Sequence, residues 1–135
     1  MNTLIRQFAT DLQSDVKAYQ DLIALLEEQF SASVQQQTMQ LSRVLEQISE
    51  HLAAIEVRRE RRSQMIKTSN AADCEALMAL FPVALQQACS SKWQQLGALL
   101  RQAKQLNQRN GEFILSQQEI MQRVLFGEQD IYDPV

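Results

Sequence analysis

Residues 106–114 read LNQRNGEFI, and the pair Asn110-Gly111 within them is by itself a strong signal for a hairpin turn. The residues on either side contradict a turn. Apolar and amide side chains recur every three or four positions before and after the glycine, with no change of phase. These positions are Leu96, Leu99, Ala103, Leu106, Asn110, Phe113, Gln117, Ile120 and Val124. A turn would reset this spacing, so the pattern predicts one long amphipathic helix that passes through Gly111.

An internal glycine costs a helix about 1 kcal/mol relative to alanine. We therefore expect a packing reason for Gly111, such as the close approach of another helix. The long helix is predicted to begin near Val83 and to run to about Phe126, with Gly127 as its C-cap. The amide of Asn110, in an otherwise apolar seam, is of the kind that fixes the register between packed helices.

Earlier in the chain, apolar residues recur every seven positions between residues 5 and 26, which predicts a first helix that starts at Asn2 or Thr3. A turn is predicted at residues 31–33, followed by a second helix. The seam expected for that helix is Val34, Leu41, Leu45, Ile48, Leu52 and Ile55. Arg59 and Arg62 occupy the next seam positions, so we expect the second helix to project beyond the packed region. A short helix is predicted over residues 71–80.

The composition supports an all-helical protein, because 135 residues contain only 3 Gly and 2 Pro and 6% are aromatic. The predicted fold class is all-α, an antiparallel helical hairpin or coiled-coil bundle of about three long helices plus a short connecting helix. Residues 1–127 are expected to form a single helical domain. Residues 128–135 are expected to be a flexible C-terminal tail.

Charge and hydropathy narrow the class of protein. The net charge is −3, which gives no reason to expect nucleic acid as a partner. No apolar run reaches the roughly 20 residues that cross a bilayer, and residues 1–6 lack a signal-peptide core, so we expect a cytoplasmic protein without membrane insertion.

Cys74 and Cys89 have no nearby cysteine partner and are expected to be reduced. The basic run at residues 57–62 is interpreted as a solvated helix face balanced by Glu56 and Glu60, with an acidic partner as the alternative.

No pattern of catalytic residues is present. His51 is the single histidine and is expected on the surface, without metal-ligand spacing around it. No glycine-rich phosphate loop and no nucleophile with its base can be identified. We therefore expect no enzyme, no cofactor and no metal; a catalytic function would rest on His51 alone.

The last helix carries more apolar surface than one packed neighbour needs. Leu100, Ile114, Met121 and Leu125 each lie beside a seam residue and widen the apolar face. Helices of unequal length cannot cover one another fully, and methionine adapts to varied partners. Part of this face is therefore expected to bind a helix of another protein.

The chain also resembles the FlgN-type flagellar export chaperones. The resemblance includes Leu25-Leu26-Glu27-Glu28 in the first helix. It is carried further by Trp93, Leu106, Asn107, Asn110, Gly111, Ile114, Gly127 and Tyr132. It implies a chaperone that binds the helical terminal segments of hook-filament junction proteins and delivers them to the flagellar type III export apparatus. The implied partners are these clients and the export gate, with the export ATPase as a further candidate.

Within this interpretation the client-binding residues are Leu99, Leu106, Asn110, Phe113, Ile114, Ile120, Met121 and Leu125. Tyr132 is the candidate for docking to the export gate, as the resemblance implies. The alternative is a structural coiled-coil adaptor subunit of a permanent complex, in which the apolar faces would associate with copies of the same chain. The sequence leaves the oligomeric state open.

Overall fold

The computed structural model describes residues 2–132, and it describes side chains as far as residue 125. Its helices are α1 (Asn2–Val34), α2 (Thr38–Ser69), α3 (Cys74–Met78) and α4 (Val83–Tyr132). No strand occurs within residues 2–132. The all-α prediction of three long helices and one short helix is confirmed.

Helix α1 is the central helix of the bundle. α2 returns along one side of it and α4 packs along another. Phe8 near the start of α1 contacts Phe81, and Phe30 near its end contacts Phe113, so α4 runs parallel to α1 and antiparallel to α2. No Cα atom of α2 lies within 8 Å of one in α4 along the described chain. The two outer helices therefore meet through α1 rather than with each other.

The connection between α1 and α2 lies later than predicted. Ser31 and Ser33 belong to the last turn of α1, and the reversal occupies residues 35–37. Gln36 takes a left-handed conformation (φ 57°), and the amide of Gln37 donates to the carbonyl of Ala32 at 2.9 Å. A left-handed position is normally signalled by glycine or asparagine. Glutamine gives no such signal, so the sequence pointed to the serines instead.

The buried seam of α2 also differs from the expected one. Leu45 and Leu52 are nearly half exposed, whereas Val44 is fully buried. Val44, Ile48 and Ile55 follow one another at intervals of four and seven residues and lie on the face toward α1. The expected and the observed seam share Ile48 and Ile55, and packing on α1 buries Val44 in place of Leu45 and Leu52.

The C-terminal part of α2 does not project from the bundle, which corrects that prediction. Arg62 and Met65 are both 8% exposed. Met65 joins an apolar cluster with Phe8, Leu12 and the α3 region, while Arg62 turns toward α1. A second apolar cluster lies nearer the α1–α2 turn and includes Ala103 of α4. An ionic layer between α1 and α2, formed by Asp15, Arg58 and Arg62, separates the two clusters.

The segment between α2 and α4 is compact. α2 ends at Ser69, and Asn70 follows it as the C-cap in a left-handed conformation (φ 59°). The Asp73 carboxylate accepts a hydrogen bond from the Ala76 amide at 2.8 Å and caps α3. This cap starts the helix later than the predicted residue 71. Leu77 is fully buried and anchors the short helix to the core.

The end of α4 differs from the prediction as well. The helix passes through Gly127 and reaches Tyr132, so Gly127 is not its C-cap. Glycine lowers helix propensity but does not stop a helix whose neighbours are helix formers. The division between a domain at residues 1–127 and a flexible tail at residues 128–135 stays a prediction.

Candidate functional site

The two sequence segments that carry the family resemblance meet between α1 and α4. Asn110 is 3% exposed, and its side-chain amide donates to the Leu26 carbonyl at 2.8 Å and to Gln29 Oε1 at 2.7 Å. Buried amides that reach a neighbouring backbone fix one register between helices. The role predicted for Asn110 in register is consistent with these contacts.

Aromatic and charged groups extend this contact by about one turn. Arg109 Nη1 lies 3.3 Å from Glu27 Oε1, and the guanidinium carbon lies 3.9 Å from the centre of the Phe30 ring. The Phe30 ring also meets Phe113 edge to face, with centroids 5.5 Å apart. Such pairs add to the free energy of burial. The last turns of α1 are therefore firmly attached to α4 at the level of Phe113.

Beyond Phe113 the environment of α4 changes abruptly. Every residue from Ile114 to Leu125 is exposed, and the helix continues to Tyr132. From Phe113 to Tyr132 this corresponds to roughly 28 Å at 1.5 Å per residue. We call residues 114–132 the α4 arm. Among residues 114–125 of the arm, whose side chains the structure describes, the exposed large apolar residues are Ile114, Leu115, Ile120, Met121, Val124 and Leu125.

The residues predicted to bind a client fall into two groups. Leu99 and Leu106 are half-buried against the two apolar clusters, and Asn110 and Phe113 contact α1. These four hold the bundle together and are largely covered by it. The other four lie on the arm and are free to meet a partner. They are Ile114, Ile120, Met121 and Leu125.

Two exposed apolar residues of the arm were not among the predicted contacts. Leu115 and Val124 are both 56% exposed. Val124 continues the seam by which α4 packs on α1, but α1 ends at Val34 and no longer covers it. The exposure of Val124 could have been inferred from the lengths of the two helices, because α1 has 33 residues and α4 has 50.

Gly111 lies in the interior of α4 without a close neighbour. A Cβ atom added there would meet nothing within 4 Å. No helix of the described chain approaches this glycine, so a packing reason inside the chain is ruled out. The side chain of Tyr132, the candidate for gate docking, lies outside the described side chains.

The basic run of α2 is only partly a solvated face. Arg59 Nε donates to the Glu56 carboxylate at 2.8 Å on the surface, as expected. Arg58 and Arg62 instead donate to the Asp15 carboxylate, and Arg61 Nε lies 3.1 Å from Asp11 Oδ2. Most of the run therefore binds α1 rather than an external acidic partner.

The other candidate residues, His51, Cys74 and Cys89, are partly or fully buried. His51 is partly buried rather than on the surface, one turn from Ile48 and Ile55. Cys89 is buried and Cys74 half-buried, both are free thiols, and burial raises the pKa of each. Burial and the nearby Asp15 charge likewise raise the pKa of Tyr19, with Arg62 opposing them. Neutral thiols of this kind are poor nucleophiles.

None of the helices of the described residues combines the length and apolar character needed to cross a bilayer. The same residues contain no group of three or more His, Cys, Asp or Glu side chains placed to hold a metal ion.

Neither the curated proteins nor the solved structures contain a significant match to the chain. The family model described as FlgN protein matches residues 1–126, which is nearly the whole chain. The resemblance seen in the sequence is thus confirmed, and the chain belongs to the FlgN family of flagellar export chaperones.

Proposed function

We propose that this chain is a substrate-specific chaperone for hook-filament junction proteins. It binds their helical terminal segments in the cytoplasm and delivers them to the flagellar type III export apparatus. The family provides the general function, and the α4 arm carries the specific proposal. Six large apolar side chains on twelve consecutive exposed residues are more than a surface helix needs.

Such a chaperone must cover apolar helix faces of its client, and the exposed apolar residues of the arm are suited to that task. Helical terminal segments that assemble outside the cell expose apolar faces that would associate prematurely inside it. A partly covered amphipathic helix can shield such a face by helix-on-helix packing. Each apolar side chain that becomes buried contributes roughly 1.5–3 kcal/mol before the cost of ordering, which allows a stable but reversible complex.

We place client contact on the arm residues Ile114, Ile120, Met121 and Leu125, and we add Leu115 and Val124. Leu99, Leu106, Asn110 and Phe113 are assigned to the support of the arm, because they pack against α1. The proposal needs no catalytic group, cofactor or metal.

Co-expression tests the proposal. The chain carries an affinity tag and is produced together with a hook-filament junction protein, and the purified material is measured by native mass spectrometry. A discrete complex is expected, and it should disappear when the helical terminal segment of the junction protein is deleted. Recovery of this chain alone, above all as a fixed homo-oligomer, would contradict the proposal.

A further inference from the structure

The space between α2 and α4 is an open groove with α1 as its floor. One pocket of about 200 Å³ has walls from both outer helices, including Leu52 of α2 and Leu100 of α4, above Tyr19 and Leu22 of α1. A second pocket of about 260 Å³ lies between Leu41 of α2 and the start of the α4 arm. Because α2 and α4 do not pack on each other along the described chain, nothing in it closes the space above these pockets.

The two pockets lie on the same side of the bundle. In each long helix, a residue that lines one pocket is followed seven positions away by a residue that lines the other. Residues seven apart lie on nearly the same face of a helix. The matched pairs are Leu26 and Ser33 on α1, Leu41 and Ile48 on α2, and Asn107 and Ile114 on α4.

The groove therefore continues from Leu100 to Met121, which is about 32 Å at 1.5 Å per residue. Its shape is that of a four-helix bundle in which one corner is empty, since two helices flank a third without meeting. Leu45 and Leu52, the exposed stripe of α2, border this side. The apolar walls fit one helix of about 20 residues.

Gly111 lies between the two pockets on the groove side of α4. It is four residues after Asn107, which lines one pocket, and three before Ile114, which lines the other. A Cβ atom there would meet nothing within 4 Å, so the missing side chain opens space in the groove rather than relieving a contact within the chain. A glycine at this place lets the backbone of a packed helix come close.

We propose that this groove binds a single amphipathic helix of the client protein, which completes a four-helix bundle. The inference rests on the proposed function and adds to it a place of binding that includes Ile114 and Met121 of the arm. Ile120, nine residues after Gly111, faces away from the groove. Lys104, on the groove wall, has no salt-bridge partner among the described residues. The bound helix is expected to place a carboxylate near Lys104 and a small side chain opposite Gly111.

A second copy of this chain is a less suitable occupant. The groove is concave in both copies, so two grooves cannot fill each other. The arm is the apolar helix that a second copy could offer, but its residues Ile114 and Met121 already form a wall of its own groove. An arm inserted into a neighbouring copy would leave that groove open.

The test measures the affinity for a purified hook-filament junction protein by titration calorimetry. Gly111→Leu fills the groove, and Leu is a better helix former than Gly, so the melting temperature should stay or rise. Affinity should fall at least ~10-fold. Gln105→Leu is the matched control, because Gln105 is exposed, precedes the arm, and lies about 120° from Gly111 around α4 at about 100° per residue. It should bind within about twofold of wild type.

Variants of α2 separate the groove from the arm. Leu45→Glu with Leu52→Glu alters the α2 side alone and should weaken binding at least ~10-fold, while Val57→Glu on the other flank of α2 should not. If the wild type binds and these groove variants bind equally well, the groove proposal is overturned and the proposed function stands. If the wild type binds no junction protein, both fail. A dimer of the chain alone that Gly111→Leu dissociates would identify the second copy as the occupant and also overturn the proposal.

Discussion

Asp15 of α1 accepts a hydrogen bond from Arg62 of α2 inside the bundle, where the Asp15 side chain is fully buried. Arg58 donates to the other oxygen of the same carboxylate. A buried charge is tolerated only when it is paired and hydrogen-bonded. This layer has one favourable alignment of α1 against α2, so it sets the register of the hairpin.

Replacement of Asp15 should therefore cost much stability. Asp15→Asn keeps the shape but leaves two arginines without a counter-charge, and the expected loss is about 3–5 kcal/mol of the free energy of unfolding. Urea titration followed by circular dichroism measures it. Glu56→Gln is the control, because the Glu56–Arg59 pair is on the surface and its loss should have little effect. Equal effects of the two changes would contradict the assigned role of Asp15.

The ionic layer could be predicted from the sequence only in part. In the sequence, Asp15 lies three residues after Leu12 and four before Tyr19, so it is the polar position in the apolar seam of the first helix. The arginines lie at or beside the next seam positions of the second helix. Their pairing depends on the register of α1 against α2, which the helical spacing does not determine. The interpretation of the arginines as a solvated face was therefore correct only for Arg59, whose partner is local.

Asn110→Ala should destabilise the contact between α1 and α4. The change removes hydrogen bonds to the Leu26 carbonyl and to Gln29 in a buried place, with an expected cost of about 1–2 kcal/mol in unfolding free energy. Thermal and urea unfolding measure it. Asn107→Ala, one turn earlier and exposed, should change stability by less than about 0.5 kcal/mol. An Asn110 variant as stable as the wild type would show that the amide does not hold the two helices together.

Phe113 and Ile120 should respond differently to the same substitution. Phe113→Asp removes the edge-to-face contact with Phe30 and should lower the free energy of unfolding by about 2 kcal/mol. Ile120→Asp lies on the exposed arm, so it should leave stability unchanged and weaken client binding. Unfolding and co-purification are measured on both variants. Loss of stability in Ile120→Asp would place that residue inside the bundle and remove it from the proposed contact surface.

The exposed apolar surface of α4 could also be predicted only in part from the sequence, for a different reason. The periodicity around Gly111 predicted one long helix and its apolar face, and both are present. Which part of that face is free depends on where α1 ends and on which flank α2 leaves open. Asn110 and Met121 look alike as members of one broad stripe, yet the first is buried and the second is 62% exposed.

Alkaline pH should destabilise the fold through three groups near the core. The pKa values of Tyr19, Cys74 and Cys89 are raised, mainly by burial. Each keeps its proton longer in the folded than in the unfolded chain, so stability is full below the unfolded pKa and falls as pH rises through the folded one. Urea midpoints between roughly pH 8 and pH 11 should decline. Tyr19→Phe should decline less steeply in the upper part of this range, and an equal decline would exclude a contribution from Tyr19.

A change at Tyr132, the last residue of α4, can test delivery of the client to the export apparatus separately from binding of the client. The family resemblance implies that it engages the export gate, whereas the proposed client contacts lie at residues 114–125. Tyr132→Ala should therefore retain the client in co-purification and reduce secretion of the junction protein and motility. Tyr132→Phe, which keeps the ring, separates a need for the aromatic face from a need for the hydroxyl. Normal secretion and motility in Tyr132→Ala would remove this residue from the delivery step, while loss of client binding in the same variant would extend the contact surface to the end of the arm.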